Sequence, residues 1–285
     1  MIYSMTGFGR SIITLPGKKI TIEIKSLNSK GLDLTVRIPS SLRDKELAMR
    51  DKLAKALQRG KIDLTVYIES TGGERSAQLN TAVIEAYMAQ LKSIANGENV
   101  DLLQMALRLP ESIQTERETI DEATNTAIMN GLDQALVTLQ DFRLTEGQAL
   151  AQDFEQRIRN IDQLMEMVKT QNQERIPSVR NRLLKALEDL AQKVDQNRFE
   201  QELVYYLEKY DITEEIVRLS NHLNYFLTTM NSDESNGKKL GFITQEMGRE
   251  INTIGSKAND AGLQQLVVQM KDELEKIKEQ VLNVL

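Results

Sequence analysis

Lys19-Ile20-Thr21-Ile22-Glu23-Ile24-Lys25 alternates polar and apolar side chains without a break. A period of two marks a strand with one face buried. Leu32-Asp33-Leu34-Thr35-Val36-Arg37-Ile38 and Ile62-Asp63-Leu64-Thr65-Val66-Tyr67-Ile68 repeat the pattern, so a sheet is expected over residues 1–70. Ile2 to Ile13 also starts extended, punctuated by Gly7 and Gly9. Between the second and third alternating runs, Leu42, Leu47, Leu53 and Leu57 mark an amphipathic helix over about residues 42–58, closed by Gly60. Thr71-Gly72-Gly73 reads as a boundary.

Beyond that boundary the period becomes helical. Helices are expected from about Thr81 to Ala95 and Leu102 to Arg108, then a polar connector from Pro110 to Thr119. A long helical run follows from about Asp121 to Arg175, marked by Leu150, Phe154, Ile158, Ile161, Met165 and Val168. Pro177 is expected to break it and send residues 178–195 back as a second helix. Helices over about 200–230 and 239–254 come next, separated by a loop at 231–237. The last helix carries Leu263, Val267, Met270, Leu274, Ile277, Val281 and Val284 at alternating spacings of four and three, a coiled-coil seam. The seam fits packing inside the chain or against another subunit. The fold class is α+β: a β-rich N-terminal part with helices, then a long helical hairpin and a helical C-terminal part. The expected domains are 1–140 (α+β, with a basic face) and 141–285 (hairpin 141–195, motif-bearing helices 200–285).

Composition narrows the chemistry. The 285 residues include no Cys, which removes disulfides, thiolate metal sites and a Cys nucleophile. A single His removes multi-His metal sites and a two-His ribonuclease mechanism. Any metal must lean on oxygen ligands, which favours magnesium or manganese over zinc. The opening MIYSMTGFGR has no apolar core of signal-peptide length. No apolar run reaches the roughly 18 residues of a spanning helix, so a cytoplasmic protein without a membrane segment is expected. The net charge of -6 hides an asymmetry: residues 1–61 hold 13 basic and 5 acidic side chains, the remainder 23 and 37. Arg10, Lys25, Asn28, Lys30, Arg37, Arg43, Arg59 and Lys61 stand near strand ends and turns and suit phosphate contacts. Aromatic residues are too sparse, at 5%, for a stacking platform.

Three stretches can carry chemistry. Asp211, Glu215, Arg218 and His222 are spaced four, three and four, so they share a helix stripe. A surface ladder of ion pairs, each worth about 0.3–0.5 kcal/mol, accounts for the same row. Glu246 and Glu250 share a face of the next helix, and their repulsion calls for a cation: a divalent metal, or less directly Arg249. In Gly255-Ser256-Lys257-Ala258-Asn259-Asp260, Gly255 can end one helix and Ser256 or Asp260 can cap the next. Lys257 is left over to meet a phosphate as a point charge.

Together these segments resemble the YicC/YloC family. Ser4-Met5-Thr6-Gly7-Phe8-Gly9-Arg10 resembles its opening, and Thr145-Glu146-Gly147-Gln148-Ala149-Leu150 an internal block. Asp211-Ile212-Thr213-Glu214-Glu215 with Arg218-Leu219-Ser220-Asn221-His222, and Gln245 through Asp260, resemble its C-terminal blocks. The resemblance covers the whole chain and implies a metal-dependent endoribonuclease in RNA turnover, assembled as a ring-like hexamer that encloses RNA. It implies that Glu246 and Glu250 hold Mg2+ or Mn2+ with Asp211 or Glu215, and that His222 is general acid or base. Arg10, Lys25, Asn28, Lys30, Arg218, Arg249 and Lys257 would then bind RNA. Two positions depart from the family pattern: Asn28-Ser29-Lys30 stands for Asn-His-Arg, and Gly248 for Asn, which is expected to open space beside the Glu pair. A non-catalytic RNA-binding or oligomeric assembly protein is the alternative.

Overall fold

In the computed structural model the described residues are 2–71, 77–94, 97–115, 120–189, 196–232 and 236–285. The boundary at Gly72-Gly73, the end of the 110–119 connector and the centre of the 231–237 loop lie outside them. Two units form, and neither is contiguous in sequence. One comprises Phe8–Lys25 and Leu32–Leu139; the other comprises Met1–Gly7, Ser26–Gly31 and Gln140–Leu285. The sequence expectation of a single cut near residue 140 leaves out the two short segments that the helical unit takes from the N-terminal region.

The first unit is built on a four-stranded sheet of order β1-β2-β4-β3, with β1 Gly7–Leu15, β2 Lys18–Leu27, β3 Leu32–Arg37 and β4 Gly60–Ser70. β1 and β2 turn through Pro16-Gly17, where Gly17 takes a φ of 75° that other residues resist. β3 and β4 are parallel, Leu32 opposite Gly60 through Arg37 opposite Thr65. Parallel neighbours need a crossover, and the chain supplies a 3-10 turn at Ser40–Lys45 and α1 at Glu46–Ala56. The alternation does what it predicts: Ile20, Ile22, Ile24, Ile62, Leu64 and Val66 are buried against Leu42, Met49, Leu53 and Leu57. Ile128, Leu132, Ala135 and Leu139, from the start of α4 (Glu122–Asp189), close that core. A small second sheet, β5 Ala77–Leu79 with β6 Ile113–Thr115, brackets α2 Thr81–Ile94 and α3 Asn99–Ala106. Three-residue strands carry no usable period, so the sequence reading passes over them.

The helical unit packs the later part of α4 with α6 Thr213–Met230, α7 Gly237–Lys257 and α8 Ala261–Val281. Phe154 of α4 meets Phe226 of α6 edge to face at 5.6 Å. Arg157 and Asn160 of α4 reach Glu273 of α8, and α7 packs on both α6 and α8. The four helices therefore form a closed bundle. The whole seam, Leu263 through Val284, is buried inside it, so that stripe packs within the chain.

Pro177 does not turn the chain. One helix runs through it to Asp189, with the lost hydrogen bond absorbed on a solvated face. Arg175 of this helix donates to the carbonyl of Tyr210, just past the end of α5 (Gln196–Lys209), so α5 lies against it; residues 190–195 of the expected second helix lie outside the described residues. The expected helix over 200–230 is two helices, α5 and α6.

Two sequence-distant motifs meet in this unit. Thr6 Oγ1 donates to Glu146 Oε2 at 2.8 Å, and Gly147 lets the Ile2 carbonyl approach to 2.1 Å of where a Cβ would stand. Ser4 bridges to Val284, and Met5 N donates to the Asn283 carbonyl at 2.7 Å. The nearby Arg143 guanidinium donates to Met5 O at 3.2 Å and to Ser26 Oγ, and burial holds its pKa down.

Candidate functional site

Glu215 opens α6 and Lys257 closes α7. Lys257 Nζ donates to Glu215 Oε1 at 2.8 Å and to the Asp211 carbonyl at 2.8 Å. First turn meeting last turn makes the two helices antiparallel and fixes their register. Two turns along α6 from Glu215 is His222; two turns back along α7 from Lys257 is Glu250. Seven residues return a helix to nearly the same face, about 10.5 Å further on. His222 and Glu250 are therefore level on facing helices.

Glu250 is only 9% exposed, and none of the described residues hydrogen-bonds or pairs with it. His222 is half-buried and likewise without a partner among them. Glu246 follows one turn beyond Glu250. Arg249 Nη1 lies 2.9 Å from its Oε1 but aims its hydrogen at Oε2, leaving a buried Oε1 without a donor. Glu215 Oε2 is also buried without a donor. Burying a carboxylate oxygen without a donor costs free energy, and that cost falls here on Glu246 and Glu215 although each has a cationic partner.

The other expected residues separate. Asp211 stands beyond the Glu215–Lys257 bridge, away from Glu250, with its Oδ1 taken by Thr213 N at 3.0 Å and Thr213 Oγ1 at 2.6 Å. Those bonds, with the Lys257 charge nearby, hold its carboxyl below the usual range. Asp211 therefore does not join Glu246 and Glu250. Among the described residues, no three His, Asp or Glu side chains gather closely enough to cage a metal.

Lys257 spends its ammonium on Glu215 rather than standing free for phosphate. Arg218 pairs with Glu214, and Arg249 with Glu246; both guanidiniums remain exposed. Asn28 donates to the Leu282 carbonyl at 2.6 Å, which makes it a tie to the C-terminal segment. Arg10 lies 3.5 Å from Glu23, Lys25 lies over the Phe8 ring, and Lys30 is exposed. Gly248 does not face the Glu pair. A Cβ there would meet Leu274 of α8 at 3.4 Å. Gly255 is buried inside α7, and Asp260 alone caps α8, accepting from Leu263 N at 3.0 Å.

The residue the sequence reading missed is Arg175. It donates to the Lys257 carbonyl at 3.2 Å and to the Tyr210 carbonyl at 2.9 Å, holding both sides of the groove's end. Its only sequence signal was a charge just before a proline.

A carboxylate level with an imidazole, with a second carboxylate one turn beyond, can supply metal ligands and a proton carrier. Residues 2–152 match the family model described as Endoribonuclease YicC-like, N-terminal region, and residues 168–285 match Endoribonuclease YicC-like, C-terminal. The chain belongs to the YicC-like endoribonuclease family. It is 32% identical over 293 residues to the "Probable endoribonuclease YicC" of Clostridioides difficile (strain 630). It is 30% identical over 290 residues to the protein of the same name from Haemophilus influenzae (strain ATCC 51907 / DSM 11121 / KW20 / Rd). Both matches span the full length of each chain. No helix among the described residues is long and apolar enough to cross a membrane.

Proposed function

We propose that this chain cleaves RNA phosphodiester bonds in the groove between α6 and α7, with Glu246 and Glu250 holding one Mg2+ or Mn2+. The observation that carries the reading is Glu250: a largely buried side chain whose carboxylate has no hydrogen-bond partner among the described residues, level with the only imidazole in the chain. The donor set fits a hard cation. Magnesium is commonly held by one or two carboxylates and completes its shell with water and substrate phosphate, so a three-carboxylate cage is not required. When bound, the cation supplies Lewis-acid stabilisation of charge building on the phosphoryl oxygens.

His222 carries the proton of the attacking or leaving oxygen, the imidazole being the side chain best suited to general acid and base work. Arg218 and Arg249, exposed on the two helices, hold flanking backbone phosphates. Glu215 and Lys257 act on the reaction by fixing the register of the groove. Arg10, Lys25 and Lys30 contact RNA from the basic N-terminal region, in keeping with their exposure. The reading includes a homo-oligomer, hexameric as the resemblance implies, which light scattering of the purified chain measures.

The test is cleavage of end-labelled RNA in manganese, in magnesium and in EDTA, beside the Glu246→Ala/Glu250→Ala variant. Cleavage that needs metal and disappears in the variant is the expected result. Equal cleavage in both proteins refutes the site. RNA bound in every condition and never cut replaces the enzyme with a binding protein.

A further inference from the structure

A cavity of about 300 Å³ opens where α4, α5 and the link into α6 come together, lined by Asn172, Arg175, Leu207, Glu208, Tyr210 and Asp211. Its polar groups are held in place before any ligand arrives. The Arg175 guanidinium is fixed by two carbonyls, leaving further N–H groups on its fork. The Asp211 carboxylate is fixed by Thr213 and kept ionised, so it can only accept. The Asn172 side chain has a buried Oδ1 that accepts no hydrogen bond. Leu207 and Tyr210 supply apolar surface beside them. A ring-sized cavity lined by a few preset polar groups beside apolar surface has the make-up of a small-ligand site.

The cavity also borders the groove. Arg175 bonds the carbonyl of Lys257, the residue whose ammonium holds Glu215, and Asp211 accepts that same ammonium on its own carbonyl. From there to the His222–Glu250 level is two helical turns, about 10.5 Å, a span that a short stretch of single-stranded backbone covers.

We propose that this cavity receives one guanine base of the RNA strand close to the scissile phosphate and so sets a nucleotide preference. The chemistry selects the base. Guanine offers donors at N1 and N2 to an acceptor-only carboxylate, and acceptors at O6 and N7 to a guanidinium. Leu207 and Tyr210, which line the same cavity, offer apolar contact to its ring. The identity of the ligand as RNA rests on the function proposed above; the pocket itself does not.

Two measurements on the full chain separate them. In the first, GMP, AMP, CMP, UMP and inorganic phosphate are titrated by calorimetry into wild type, Asp211→Asn and Asn172→Ala. Asp211→Asn keeps an oxygen for Thr213 while removing the charge, and circular dichroism verifies that each variant folds. The expected result is saturable GMP binding at least tenfold tighter than the other three nucleotides, lost tenfold or more in both variants. In the second, fragments from a random RNA pool are sequenced. Guanine is expected to be enriched at one fixed position relative to the cut, and the enrichment is expected to vanish in Asp211→Asn. No GMP preference, phosphate binding as tight as GMP, or equal binding in folded variants overturns the pocket, even where RNA is cut. GMP preference in a protein that never cuts RNA supports the pocket and removes the nuclease reading.

Discussion

Replacing Lys257 with Met tests the bridge that sets the groove. Glu215 is 5% exposed, and its Oε2 already lacks a donor, so losing the ammonium leaves both oxygens unpartnered in the interior. Removing one member of a buried pair costs about 3–5 kcal/mol. The Lys257 side chain is 31% exposed, so water relieves part of that cost, and a loss of about 2–3 kcal/mol is expected. That corresponds to a fall in Tm of about 4–12 °C for a chain of this size. The double variant Glu215→Leu/Lys257→Met removes both charges and should recover to within about 1 kcal/mol of wild type, since apolar replacements of buried pairs are often neutral. Urea unfolding followed by far-UV circular dichroism reads both. A Lys257→Met protein within about 0.5 kcal/mol of wild type refutes the bridge. A stable double variant that still cuts RNA shows that the reaction needs neither the Glu215 carboxylate nor the bridge; one that folds but cannot cut shows that it needs one of them.

Gly147→Ala forces a Cβ onto the Ile2 carbonyl at 2.1 Å; backbone cannot yield cheaply, so a loss of more than about 2 kcal/mol is expected in the same unfolding assay. Gly248→Ala goes the other way: its Cβ finds ordinary contact with Leu274 at 3.4 Å, and relief of the helical Gly penalty should raise stability by about 1 kcal/mol. Thr213 holds the Asp211 carboxyl below its usual range, and Lys276, Asn160 and Arg157 do the same for Glu273. A depressed folded pKa gives stability that is full above the unfolded value and is lost as pH falls through the folded one. Unfolding midpoints measured downward from about pH 4 should therefore drop less steeply for Glu273→Gln than for wild type.

Where burial imposes a period, the sequence shows it. Ile20, Ile22 and Ile24 point one way because a strand repeats every two residues, and the seam from Leu263 to Val284 is regular because one helix face is buried along its length. Pro177 shows the limit of local signals. A proline costs a helix about 3 kcal/mol, and here that cost does not decide where the chain turns. The residues of the candidate site are visible in the sequence as helical stripes, but their arrangement is not. Glu246, Glu250 and His222 were visible as helical stripes, whereas the pairing of Glu215 with Lys257 spans 42 residues and follows from bundle packing. Asp211 looked like one more carboxylate of the row. Only its turn with Thr213 shows that it faces a different opening. Arg175 could not be found at all, because its partners are backbone carbonyls, which no side-chain pattern records.

Ser4 and Met5 pair with Val284 and Asn283, so these residues wait for all the sequence between them to be made before they find their partners. Synthesis thus runs ahead of assembly. The sheet unit holds everything it needs once Leu139 has been made, whereas the helical unit stays open until residues 283–285 arrive to close on residues 3–5. Nascent chains halted just short of that point should protect the sheet from protease while α6 and α7 remain susceptible. The face between α6 and α7 would then take shape only after residues 283–285 have emerged, with the sheet already in place.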